Sequence, residues 1–508
     1  MPAEHNSHNT FAYPGFPHPH THPDRLAAMA ILHGLNPAPV EKCRVLEIGC
    51  NEGANLIPMA YAIPSSEFVG FDLARLRIEQ GQQRIRELGL KNARIFEGDL
   101  LKLGSELGRF DYIVAHGFYA WVPEPVGERM MALCGELLNP DGVAFVSYNA
   151  LPGGHLRLML REMMLYCVKG VEDPHERVTK SLAFLRFLLE SRPEGDAYRL
   201  LVQEQLDLVE KRSPELTYHD WLTDAYRPVL FSEFAEHAQR HGLQYLSEAV
   251  LPPMDDPCYR SEIRLAVENA ADGDIVKQEQ MLDFLRARAF RETLLCRADC
   301  VVRRDFPAEH LRRLLLSSQA TTAPGEAQGS RVFTLPNGVR MESNHAGAIA
   351  LLEELAARWP RRVSLRELEP MLSRAGLLLD EGGVTLLMQL IVGKFVETHA
   401  WQAPVAGAIP ARPRASACSR LEARTRGFAT TLLHGTLRLD DPVLVSFLKL
   451  LDGTRDRGAL VAAMKTEFPE MAEVRLAAGI ESSLQHFHRI GNAGGVREWN
   501  QCSRRSSL

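Results

Sequence analysis

Residues 45–53 read Val45-Leu46-Glu47-Ile48-Gly49-Cys50-Asn51-Glu52-Gly53. The first four have the composition of a buried strand, and the rest form a tight turn from which a helix is predicted to leave. Gly49 lets the backbone turn sharply and approach a ligand. Gly53 lets the new helix pack close to the strand. Glu47 stands near the carboxyl end of the strand, the edge where open α/β sheets bind their ligands. A dinucleotide fingerprint would carry glycines at positions 51 and 54, but Asn51 and Ala54 stand there, so the room that a pyrophosphate needs is missing. Asn tolerates left-handed backbone better than most residues, and the turn itself survives.

Outward from this turn, β-type runs at 45–48, 67–71, 94–97, 111–115 and 142–148 alternate with predicted helices over about 53–62, 74–88 and 125–138. That alternation predicts βαβ units around a parallel sheet, a Rossmann-like α/β core. The second strand ends in Val69-Gly70-Phe71-Asp72 and the third in Phe96-Glu97-Gly98-Asp99-Leu100. Asp72 is placed to accept hydrogen bonds from ribose hydroxyls, and Asp99 to receive an adenine amino group. Two acids at successive strand ends favour S-adenosylmethionine over a dinucleotide. The bland alternative is that both acids only cap the helices that follow. The expected cofactor-binding set is Glu47, Gly49, Cys50, Asn51, Gly53, Asp72, Leu73, Asp99, Leu100 and His116.

Methyl transfer from a sulfonium is an in-line displacement. It needs a positioned acceptor, exclusion of water and removal of a proton from an amine or hydroxyl. The residues for this must come from the ends of strands four and five, His116-Gly117-Phe118-Tyr119-Ala120-Trp121 and Ser147-Tyr148-Asn149. The expected catalytic set is His116, Tyr119, Trp121 and Tyr148. His116 is read as a base or as a holder of the cofactor's methionine end, and the three aromatics as walls for a cationic amine or sulfonium. A hydrogen-bonded strand-end histidine and core aromatics are the competing reading. The Asn/Asp-Pro-Pro-Tyr/Phe sequence of amino-group DNA methylases is absent after strand four, and no nucleic acid is expected. His18, His20 and His22 lie in an arm interrupted by prolines, without an acidic or Cys partner nearby. No metal is expected there; the arm is predicted to fold over the cofactor, with Tyr13 or His22 touching it.

The chain has 508 residues, 45% hydrophobic and 24% charged, with a net charge of −6. At about 100–200 residues per domain this length predicts several domains with ordinary cores. The charge gives no reason to expect a nucleic acid or an anionic membrane as partner. No apolar run approaches the roughly 18 residues of a membrane span, and residues 1–23 lack the features of a signal peptide. Nine cysteines without a C-x-x-C pair suggest a reducing, cytoplasmic compartment.

Beyond the fifth strand the pattern turns helical over 155–213, then gives a helix at 231–241 and a strand at 243–251 that could complete the sheet. Residues 319–330, small and polar, read as a linker, and a second linker is predicted at 403–418. Between them, helices at 344–359, 364–375 and 382–392 precede a strand at 394–401, suggesting a winged-helix-like unit. A last helical unit covers about 428–490. If 319–330 is a linker, a chain ended before residue 319 should still fold and bind cofactor.

These residues resemble the bacterial methyltransferases that carry a methyltransferase regulatory domain, a group that includes protein lysine methyltransferases acting on outer-membrane proteins. The resemblance rests on Leu46-Glu47-Ile48-Gly49-Cys50, Asn55-Leu56-Ile57-Pro58-Met59-Ala60, Phe110-Asp111-Tyr112-Ile113-Val114-Ala115-His116-Gly117, Trp121-Val122-Pro123 and Val146-Ser147-Tyr148-Asn149-Ala150-Leu151-Pro152-Gly153. Further on it rests on Phe290-Arg291-Glu292-Thr293-Leu294-Leu295 and Leu451-Asp452-Gly453-Thr454-Arg455. The sequence departs from that pattern at Gly154, where a bulky aromatic is expected, and at Asn51. The resemblance implies a class I methyltransferase core followed by mainly helical and winged-helix-like C-terminal domains. The domains expected are an N-terminal arm and helix (1–40), the S-adenosylmethionine-binding core (41–154), a helical insertion (155–215) and a regulatory segment (216–318). Winged-helix-like units at 331–402 and 419–490 and a disordered tail at 491–508 follow. The implied function is methyl transfer to lysine side chains of a protein substrate, with a homodimer left open. A small-molecule O- or N-methyltransferase and a non-catalytic S-adenosylmethionine-binding scaffold are the alternatives.

Overall fold

The computed structural model describes residues 13–223, 225–251 and 260–489. The tail expected at 491–508 lies outside the described residues, as does the start of the arm. The central sheet has seven strands: β1 (Arg44–Ile48), β2 (Glu67–Asp72), β3 (Ala93–Glu97), β4 (Phe110–Ala115), β5 (Leu138–Asn149), β6 (Leu243–Glu248) and β7 (Phe290–Arg297). Their order is β3-β2-β1-β4-β5-β7-β6. The first five pair in parallel, whereas β7 runs antiparallel to both β5 and β6. The predicted core strands are therefore present. The strand expected after residue 242 takes the sheet edge, and β7, which the sequence pattern left out, wedges between it and β5.

Strand parity divides the core into two faces. On β4, Tyr112 and Val114 enter one apolar layer, while Ile113 and Ala115 enter the other. The helices of this part are α1 (Pro23–Leu32), α2 (Leu56–Ala62), α3 (Arg75–Leu88) and α4 (Glu124–Leu137). The helical insertion follows as α5 (Gly154–Cys167), α6 (Pro174–Glu190), α7 (Ala197–Glu210) and α8 (Pro214–Trp221), packed around a core of its own that includes Leu160, Leu185, Leu206 and Trp221. Gly154, the departure noted above, starts α5 against Pro228, whose Cβ lies 2.8 Å from where a Cβ on the glycine would stand. Next come α9 (Phe231–Arg240), α10 (Ser261–Ala271) and α11 (Ile275–Arg286).

The stretch 319–330 is not a linker. It contains β9 (Thr321–Pro324), which pairs antiparallel with β10 (Arg331–Thr334), itself paired with β11 (Arg340–Ser343). The middle unit also begins before residue 331. It takes in α12 (Ala308–Leu311) and β8 (Leu315–Ser317), and β8 is the central strand between β12 (Val363–Ser364) and β13 (Glu397–His399). Helices α13 (Ala346–Arg358), α14 (Leu365–Arg374) and α15 (Glu381–Val392) complete this unit. The C-terminal unit has α16 (Ala417–Thr425), β14 (Phe428–Thr430), β15 (Thr436–Arg438), α17 (Pro442–Leu450), α18 (Arg457–Glu467) and α19 (Glu473–Arg489).

Helix α1 joins these parts. Every residue of it except Arg25 is buried. Leu26, Ala27, Met29 and Ala30 enter the core of the sheet, whereas Ala28, Ile31 and Leu32 enter the core of the middle unit. Asp24 is buried among Arg362 at 3.0 Å, His399 at 2.8 Å and the backbone N–H groups of Ala400 and Trp401 at 2.8 and 2.9 Å. A chain ended before residue 319, expected above to fold and bind cofactor, would expose the apolar face of α1 and leave Asp24 without partners. Among the described residues no helix is long and apolar enough to cross a membrane.

Candidate active site

The turn after β1 has the predicted geometry. Gly49, Asn51 and Gly53 all have left-handed backbone, at φ 71°, 49° and 70°. The N–H groups of Gly49 and Cys50 donate to the Phe71 carbonyl at 3.0 and 3.1 Å, which fastens the turn to the end of β2. Asp72 accepts from the Asn51 N–H at 2.9 Å and the Ala74 N–H at 2.8 Å. It therefore braces the turn and the start of α3, as the capping alternative anticipated. A carboxylate offers about four acceptor sites, so ribose hydroxyls can still be received. Asp99 accepts from the Leu101 N–H at 3.1 Å, capping the short turn Leu100–Lys102. Leu73, beside Asp72, is 56% exposed, a large apolar side chain at the site with little covering it.

Glu47 is buried at the end of β1. Its Oε1 accepts from Asn55 Nδ2 at 2.8 Å, while its Oε2 is buried without a hydrogen-bond partner. Burial pushes its pKa up to about 8, opposed by the Asn55 bond and assisted by the charges of Asp72 and Glu52. A buried carboxyl oxygen with unused acceptor capacity at this edge suits a ligand amine. The glycine turn, the Asp72 carboxylate and this free oxygen together fit S-adenosylmethionine.

Asn55 is a site residue that the sequence reading missed. It precedes α2 in the N-cap position but makes no capping bond with its side chain. Its amide instead donates to Glu47 and to Thr21 Oγ1 at 2.9 Å, and accepts from the His18 N–H at 2.8 Å. Its Oδ1 also lies 2.8 Å from His434 Nε2 in the C-terminal unit. The signal available in the sequence was a capping-type residue placed one turn after the glycine turn. Phe118 lay within the stretch quoted after strand four but in neither expected set; its ring lies 2.8 Å from where a Cβ on Gly49 would stand, so it roofs the turn.

His116 directly follows β4, beside the end of β1 that carries Glu47. Its Nδ1 lies 3.1 Å from Ser147 Oγ, which also accepts from the Gly117 N–H at 2.7 Å. Burial, with His18 and His20 nearby, holds its pKa well below the usual imidazole range. The arm covers it, with the His18 ring tilted against it at 3.7 Å between centroids. His20 Nδ1 lies 3.1 Å from Glu292 on β7, the residue in register with Ser147. The Tyr13 carbonyl accepts from Asn51 Nδ2 at 3.0 Å. The arm thus folds over the site as expected, although His22 packs instead against Trp401 and His434.

Four sequence expectations need correction. Cys50 is buried and faces the core, because its Cβ and Sγ fill the space beside Gly70. The Leu100 side chain is likewise in the core. Tyr148 points to the opposite face from Ser147, as strand parity requires. It is fully buried, stacked on Phe234 at 4.1 Å, with its hydroxyl 3.2 Å from Thr293 Oγ1. Tyr119 is buried in that same layer, 2.8 Å from His237 Nδ1. Both are core aromatics. Trp121 packs 4.9 Å from Tyr226 and keeps accessible surface.

The C-terminal unit reaches this site directly. Arg426 pairs with Glu52 in the turn and donates to the Gly15 carbonyl at 3.0 Å. Arg84 of α3 lies 3.7 Å from the same carboxylate.

Three family models match the chain: a methyltransferase domain over residues 45–142, a predicted methyltransferase regulatory domain over 213–297 and the PKMT C-terminal winged helix domain over 411–477. The uncharacterized protein RP028 of Rickettsia prowazekii is 34% identical over 241 residues, 47% of this chain and 96% of that protein. RP789 of the same organism, also uncharacterized, is 32% identical over 314 residues, 61% of this chain and 56% of its own length, so the match spans little more than half of that relative. In structure the chain resembles PKMT2 from Rickettsia typhi, solved in complex with AdoHcy. The TM-score is 0.83 at 24% identity, covering 94% of this chain and 98% of that one; the likeness is one of fold. The chain belongs to the family of S-adenosylmethionine-dependent methyltransferases that join a methyltransferase core to the methyltransferase regulatory domain and the PKMT C-terminal winged helix.

Proposed function

We propose that this methyltransferase acts on lysine side chains of a protein substrate. The observation that carries the reading is the contact of the C-terminal unit, which matches the PKMT winged helix, with the cofactor turn through Arg426–Glu52 and His434–Asn55. A folded module held against the turn can orient a protein acceptor at the sheet edge, and binding away from the reacting atoms can be used for orientation there. The PKMT name of the structural relative points the same way.

The cofactor supplies an electrophilic methyl group. The chain must present an unprotonated amine to it, and lysine holds its proton up to about pH 10.4 in water. Glu292 offers an anionic group for an arriving ammonium, and its neighbour His20 is exposed. His116, neutral and fixed by Ser147, adds no repelling charge and offers a lone pair. A depressed imidazole pKa makes it a poor store for the proton, so its role is to orient the amine while the proton leaves to solvent. The arm excludes water from the remainder of the site.

The full chain, incubated with methyl-labelled cofactor and lysate of its host cell, is expected to put label into protein, recovered as methyllysine after hydrolysis. Label found only in small molecules would overturn the lysine assignment and favour the small-molecule alternative.

A further inference from the structure

We propose that Glu128, His237 and His241 form a binding site for a zinc-like divalent metal ion, on the face of the sheet opposite to His116. Glu128 lies on α4, His237 on α9, and His241 at the end of α9. The i, i+4 spacing sets both histidines on one side of their helix. Glu128 Oε2 is 2.9 Å from His237 Nε2, and Glu128 Oε1 is 2.8 Å from His241 Nε2. One ligand atom from each residue lies within 4.8 Å of the other two. In a tetrahedral zinc site, ligand atoms at about 2.0–2.1 Å from the metal stand roughly 3.3 Å apart, so small side-chain rotations suffice.

The donor set is two imidazoles and one carboxylate, the set that holds a metal with its fourth position open to water. Three further features distinguish it from an ordinary ion pair. His237 is 6% exposed, yet its Nε2 has no aligned hydrogen bond, although a carboxylate oxygen is near. A lone pair directed there serves a metal better than an N–H serves the carboxylate. Its Nδ1 meets the Tyr119 hydroxyl at 2.8 Å, the type of outer partner that fixes the ring and tautomer of a metal-bound histidine. Glu128 keeps about half of its side chain exposed, which leaves a path for the ion.

Tyr119 sits three residues after His116, in the loop whose Phe118 covers Gly49. A metal here would tie α4, α9 and that loop together, and it takes no part in the methyl transfer described above. The site would therefore contribute to stability and loop position.

The test uses the full chain stripped of metal by a chelator and titrated with Co2+. The wild type is expected to develop the intense visible d–d absorption of a four-coordinate site, saturating at about one ion per chain and bleached by Zn2+. Glu128→Gln and His237→Gln should each abolish the band. Tyr119→Phe should keep its shape and weaken binding roughly 10–100-fold. Circular dichroism checks folding, and if His237→Gln fails to fold, Glu128→Gln, at a half-exposed position, decides alone. Absence of the band in the wild type, or its survival in Glu128→Gln, would overturn the proposal and leave an ordinary ion pair.

Discussion

Glu47 combines two costs, a buried carboxyl and an unused oxygen, and both have measurable consequences. An unfolded glutamate titrates near 4.5, whereas this one titrates at about 8. Between those values the folded chain holds a proton that the unfolded chain has lost, so stability falls as pH rises through that window. Each unit of the shift is worth about 1.4 kcal/mol. Glu47→Gln keeps the shape and the Asn55 bond but cannot ionise. It should melt higher than the wild type at about pH 9 and nearly the same at about pH 4, while binding S-adenosylmethionine more weakly by calorimetry. Equal stability of the two proteins at both pH values would show that Glu47 is not buried as described. The turn itself was legible: Gly49 and Asn51 have the left-handed backbone that their sequence positions predict, and Asp72 makes the contacts of the capping reading. The partner of Glu47 was not, since Asn55 acts through contacts with segments far away in sequence.

At the scale of elements, the five parallel strands could be read because apolar runs and helices alternate without interruption. Strand β7 could not. Its second residue, Arg291, is fully buried, and a hydropathy pattern takes an arginine for surface. The structure neutralises it with Glu248 at 2.7 Å, Asp283 at 2.8 Å and Glu279 at 3.0 Å, and stacks its guanidinium over Phe231 at 3.9 Å. This cluster fastens β7, β6 and α11 to one another. Arg291→Ala would leave the carboxylates of Glu248, Asp283 and Glu279 with Arg288 as their remaining close cation, at 2.9 Å from Glu248, and a loss of about 3 kcal/mol is expected in chemical denaturation. A loss below about 1 kcal/mol would mean that water reaches the cluster. Tyr148 is a different sort of miss. The alternation along β5 already set it opposite Ser147, but only the packed structure shows which face carries the site. The small, polar stretch 319–330 misled for a third reason: an exposed hairpin edge has the same composition as a linker.

At the scale of the molecule, the sheet, the middle unit and the C-terminal unit meet at α1 and the arm. Asp24 depends on this assembly. Burial alone would raise its pKa, but Arg362 and His399 hold it well below the usual carboxylate range. Its contribution to stability is present above the unfolded value near 3.8 and fades as pH falls through the lower, folded value. A chain ending before residue 319 should therefore be poorly soluble or partly unfolded, with S-adenosylmethionine binding lost rather than retained. Circular dichroism and calorimetry on that truncation provide the check. Full native affinity in the short chain would show that α1 needs no cover. Composition could reveal the units of this protein but not the order in which they lean on one another, because the contacts span most of the chain.

That span also has a consequence during synthesis. Asp24 leaves the ribosome early, and His399, 375 residues behind it, leaves late. At roughly 5–20 residues per second the interval is about 20–75 s. For that time α1 has an apolar stripe and a buried-type acid with no native partner. Trigger-type chaperones that shield nascent apolar segments would have their longest task at this helix, and the cofactor turn would acquire its full set of neighbours only as the last third of the chain emerges.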